Sequence, residues 1–68
     1  MVGHHAGIAR LLQLIQAEYR EIPGLNLTKP QMQRLWGLDH LLCEALVDAL
    51  VGSRVLRRTL RGSYVLHT

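Results

Sequence analysis

Apolar residues recur along this chain with three- and four-residue spacing over most of its length, and the spacing shortens near the end. The first stripe is Ile8, Leu11, Leu12, Ile15, Tyr19 and Ile22, the repeat of one helix face, with Leu14 standing off it. Pro23-Gly24 predicts the stop: proline breaks the hydrogen-bond ladder and glycine accepts a left-handed turn. Leu25-Asn26-Leu27 alternates as a short strand that needs a partner. A second helix is expected from Thr28-Lys29-Pro30-Gln31, where Thr28 caps, Pro30 fits the first turn and Gln31 completes a capping box. It should turn Met32, Leu35 and Trp36 inward and end at Gly37. After Leu38, Asp39 caps a third helix from His40 whose positions Leu42, Cys43, Leu46, Val47, Leu50 and Val51 face the core, with Gly52-Ser53 as the stop. Then Val55 to Thr59 and Tyr64 to Leu66 read as two β-rich runs joined by Leu60-Arg61-Gly62-Ser63, a hairpin. Residues 1–7 form a small-residue leader, expected to be flexible, and residues 8–68 one domain.

The series Leu27-Thr28-x-x-Gln31-x-x-x-Leu35-x-Gly37-Leu38-Asp39, then Leu46-Val47-x-x-Leu50-Val51, then Leu56-Arg57-Arg58-Thr59-x-x-Gly62-x-Tyr64-Val65 resembles the winged helix-turn-helix family over nearly the whole chain after Gly7. The expected fold is therefore α+β and mostly helical: three helices plus a small antiparallel sheet with a C-terminal hairpin, the wing. The resemblance implies DNA binding, with helix 3 in the major groove and the wing beside it. Taking Gly37 as the turn glycine places Met32, Trp36, Leu38, Cys43 and Leu46 at buried positions. Two departures stand out: Gln33 where relatives have a small residue, and Arg54 where they usually have glycine, which could move the bend to Gly52.

Length and charge sharpen this picture. Sixty-eight residues make one small core and leave no room for a cleft between lobes. Net charge is +3, but its placement is uneven: residues 53–68 hold Arg54, Arg57, Arg58 and Arg61 and no acid, while the remainder holds four basic and five acidic side chains. A lone cysteine, Cys43, forms no internal disulfide and suits a reducing compartment, so a cytoplasmic protein is expected. The longest apolar runs, such as Leu41-Leu42-Cys43, are three residues, far short of a membrane span.

The residues expected to meet DNA are Lys29 and Arg34 of helix 2, His40, Leu41 and Glu44 of helix 3, and Arg54, Arg57, Arg58 and Arg61 of the wing. The arginines suit phosphate contact. Strand alternation would send Arg57 and Arg58 to opposite faces, with only one projecting cleanly. Helix 3 is less suited to base reading, because its outward positions His40, Leu41, Glu44, Ala45, Asp48 and Ala49 include two carboxylates and no Lys, Arg, Asn or Gln. Glu44 could accept from a cytosine amino group. His4-His5 and His67 lack metal-ligand spacing, and no cofactor is implied. Ser53 and Ser63 have no paired acid and base, so an enzyme is not expected, and neither is a small-molecule ligand. The favoured reading is a DNA-binding regulator, with a homodimer possible through helix 1 at Leu14 and the leader. The alternative is a winged helix protein-interaction module that does not touch DNA.

Overall fold

The computed structural model describes the backbone of residues 3–67 and the side chains of residues 7–67. Three helices precede an antiparallel hairpin: α1 (Gly3–Glu21), α2 (Lys29–Trp36), α3 (His40–Gly52), β1 (Leu56–Arg58) and β2 (Tyr64–Leu66). The architecture is α+β, mostly helical, and compatible with the winged-helix layout. α1 begins at Gly3, within the segment read as a leader.

Among the described side chains of α1, Ile15 and Tyr19 are the ones fully enclosed. Ile8, two turns earlier on the same stripe, is 46% exposed because the core extends only as far as Leu11 and Leu12. Ile22 lies past the helix end and is exposed rather than part of the buried face. There the chain turns through Pro23 and Gly24, with the Leu25 N–H donating to the Ile22 carbonyl at 2.9 Å. Gly24 does not use a positive φ, contrary to expectation; the left-handed glycines are Gly37 and Gly62.

The start of α2 follows its local chemistry. The Thr28 hydroxyl accepts from the Gln31 N–H at 3.3 Å, and the Gln31 side chain accepts from the Thr28 N–H at 2.8 Å, which completes the capping box. Met32 is buried and Trp36 half-buried, but Leu35 is 57% exposed. The buried side of α2 runs through Lys29, Met32, Gln33 and Trp36, and Leu35 falls on the other flank of Met32. Gly37 closes the helix in the left-handed conformation (φ 64°). The Asp39 carboxylate then accepts from the Leu42 N–H at 2.8 Å and caps α3.

α3 buries Cys43, Leu46, Val47 and Leu50. Val51, expected in that set, lies a quarter-turn round the helix and reaches the surface. The end of α3 is a Schellman arrangement: Val55 N–H donates to the Leu50 carbonyl at 2.9 Å and Arg54 N–H to the Val51 carbonyl at 3.0 Å. Arg54 takes the left-handed position itself (φ 64°), so the bend does not move to Gly52, which stays helical.

β1 and β2 pair with Leu56 opposite Leu66, Arg57 opposite Val65 and Arg58 opposite Tyr64. The expected Leu25-Asn26-Leu27 strand is reduced to one bridge, in which Leu27 and Tyr64 exchange backbone hydrogen bonds of 3.2 and 2.7 Å. Tyr64 joins several elements: its carbonyl also accepts from the buried Tyr19 hydroxyl at 2.8 Å, which ties α1 to the hairpin. The core draws on all three helices, both strands and Leu38 of the α2–α3 turn.

Candidate nucleic-acid interface

The hairpin loop is short and internally braced. Thr59 N–H donates to the Ser63 carbonyl at 2.8 Å and Gly62 N–H to the Thr59 carbonyl at 3.0 Å, with Gly62 at φ 84°. This is the three-residue loop in which a type I turn ends on a left-handed glycine. The Thr59 and Ser63 hydroxyls meet at 2.7 Å, and Ser63 N–H donates to the Thr59 hydroxyl at 3.2 Å. Leu60 and Arg61 therefore stand on a fixed tip, with Leu60 fully exposed.

Arg54, Arg57, Arg58 and Arg61 are all exposed. Arg57 and Arg58 are neighbours on β1, but both reach solvent, because Arg58 lies at the loop end of the hairpin. Its guanidinium extends along the loop to within 3.5 Å of where a side chain at Gly62 would begin. Among the described residues, none of the four arginines forms an ion pair. Four positive charges thus fall within eight residues, three on the supported ribbon and one at the end of α3 before it, and none is paired with an acid among the described residues.

The helical side differs from expectation. Lys29 and Glu44 form an ion pair at 2.7 Å that links the first turn of α2 to α3. That hydrogen bond raises the Lys29 ammonium above its ordinary range and lowers the Glu44 carboxylate below its own. The Lys29 ammonium also lies 5.8 Å from the Tyr64 ring centroid, within reach of a cation–π contact. Lys29 and Glu44 were expected to contact DNA; in the structure each is engaged by the other, since the α2–α3 crossing brings them together. Glu44 is accordingly half-buried and already accepts a charged hydrogen bond.

His40, Leu41, Ala45, Asp48 and Ala49 form the exposed side of α3, with Leu41 79% exposed. Arg34 is exposed on α2. The Cys43 thiol is buried, points toward the Lys29 carbonyl at 3.7 Å, and is pushed up in pKa chiefly by its burial, which keeps it protonated and unreactive. The His4-His5 reading lies outside the residues whose side chains are described.

Two features escaped sequence reasoning. The Lys29–Glu44 pair joins residues 15 apart, and only the α2–α3 crossing sets them face to face. The Tyr19–Tyr64 contact spans 45 residues and leaves no local signature. Among the described residues, no helix is long and apolar enough to cross a membrane. Searches of family models, curated proteins and solved structures returned no match to this chain.

Proposed function

We propose that this chain is a winged helix-turn-helix module that binds duplex DNA through the arginines of its hairpin and serves as a small transcriptional regulator in the cytoplasm. One observation carries the reading: Arg54, Arg57, Arg58 and Arg61 are exposed and unpaired by any acid among the described residues, the last three on a braced ribbon and Arg54 at the end of α3 just before it. Such a ribbon suits the phosphate backbone, where guanidinium groups make bidentate contacts and release counterions. Arg34 extends the cationic set on the helical side, and His40 adds an exposed imidazole at the start of α3. α3 offers base edges little beyond His40 and the methyl groups of Ala45 and Ala49, so affinity rests on phosphate contact and sequence preference is weak.

The test is duplex binding measured over a series of salt concentrations. Replacing Arg57 and Arg61 together by alanine should flatten the plot of log K against log salt by about two units, since each lost phosphate contact removes about 0.9. An unchanged slope removes the hairpin from the interface. A second reading, docking to a protein, is favoured by the exposure of Leu41 and Leu35 on the helix pair. It takes over if the folded chain fails to bind duplex at low salt.

A further inference from the structure

The outer face of α1, the longest helix, is left without a partner in the fold. Arg10, Leu14, Ala17 and Glu21 follow one another at intervals of four, three and four residues, which places them on a single stripe turned away from Ile15 and Tyr19. All four are exposed, Leu14 at 41%. Neither Arg10 nor Glu21 takes part in an ion pair among the described residues. The stripe carries a positive charge at one end, a negative charge at the other, and two apolar residues between them.

That order is its own complement, but only in one direction. Turning the helix end for end about the point between Ile15 and Gln16 exchanges Arg10 with Glu21 and Leu14 with Ala17. Two copies laid antiparallel would therefore set each Arg10 against the other's Glu21, with each Leu14 over the small Ala17 opposite. Gln13 and Glu18 exchange in the same way on the flank, amide against carboxylate. A parallel pair would instead set arginine on arginine and glutamate on glutamate, which costs rather than gains. The two ion pairs of one copy's stripe are separated by about 16 Å along the axis, at 1.5 Å per residue.

We infer that this face pairs with the same face of a second copy of the chain, as an antiparallel, two-fold symmetric contact between α1 helices with Arg10 opposite Glu21 at both ends. The contact is isologous and closes on itself, so it stops at a dimer. Its apolar content is small, two leucines and two alanines, and it falls below the area of a permanent interface. Association is accordingly reversible and depends on concentration and salt. The proposal is independent of DNA binding, since it uses no residue of the hairpin or of α3.

Sedimentation equilibrium of the full chain, from about 10 µM to about 1 mM, tests it. The weight-average mass should climb from 7.7 kDa toward twice that value. Arg10→Glu and Glu21→Arg should each weaken self-association by about tenfold or more, because each sets like charges against one another at both ends. An equimolar mixture of the two variants should recover the dimer, as should the double variant, because opposite charges again face each other. Both sites are on the surface, so melting by circular dichroism should be unchanged. As a check that leaves the charges intact, Ala17→Glu should abolish association by placing a carboxylate against Leu14. A wild-type chain that stays monomeric at the highest concentration overturns the inference. So do single variants that associate like the wild type, or a mixture that fails to rescue.

Discussion

The Tyr19 side chain is enclosed by the core, and its hydroxyl donates to a carbonyl that already accepts from the Leu27 N–H. Tyr19→Phe should therefore cost only about 1 kcal/mol, the net value of one hydrogen bond, because the Tyr64 carbonyl keeps a partner. In a domain of this size that lowers the melting temperature by about 4–8 °C. Burial also pushes the Tyr19 pKa from 10.0 to about 12. The folded state thus holds this proton after the unfolded state has released it. Its contribution is complete below pH 10.0 and is lost as pH rises toward 12, a change of about 3 kcal/mol. Urea midpoints measured from pH 9 to pH 12 should fall steeply in the wild type. They should fall less in Tyr19→Phe, which has no phenol to ionise at this site.

At the scale of elements, two helices end with the same backbone device but with different residues in the left-handed position. α2 uses Gly37 at φ 64° and α3 uses Arg54 at φ 64°. An L-residue is strained there by about 1–2 kcal/mol, glycine is not, and part of the difference returns through the greater freedom of glycine in the unfolded chain. Arg54→Gly should raise stability by about 0.5–1 kcal/mol, read as a higher melting temperature, while removing one guanidinium from the proposed DNA-binding set and, on that proposal, about 0.9 from the salt slope. A gain in stability joined to a loss in binding would identify Arg54 as a residue kept for what it touches. Most helix boundaries were legible in the sequence because they are written in neighbouring residues: Thr28 with Gln31, Gly37, and Asp39 ahead of His40. What was not legible depends on contacts between elements. Leu35 and Val51 have the right spacing for burial, but which flank of a stripe is covered depends on where the neighbouring helix lies. Leu25-Asn26-Leu27 alternates like a strand yet contributes a single bridge, from Leu27 to Tyr64 at the start of β2. The arginine cluster could be read from the sequence; the withdrawal of Lys29 and Glu44 into a mutual pair could not.

Over the whole molecule, charge is divided rather than mixed. Residues 53–68 carry four arginines and no acid, while the exposed side of α3 carries Asp48. If α3 faces the duplex as in the proposed reading, Asp48 opposes phosphate, and Asp48→Asn should tighten duplex binding at low salt by about two- to tenfold without moving the melting temperature. Unchanged affinity would mean that the molecule approaches DNA with its hairpin alone. The fold has one more consequence at this scale, and it concerns timing. Tyr64 fastens α1, the Leu27 segment and the hairpin together, yet it follows all three helices along the chain. A growing polypeptide has all three helices in hand before it has the strand that locks them. A copy interrupted before that strand lacks the tie between Tyr19 and Tyr64 and should be cut by proteases faster than the full chain.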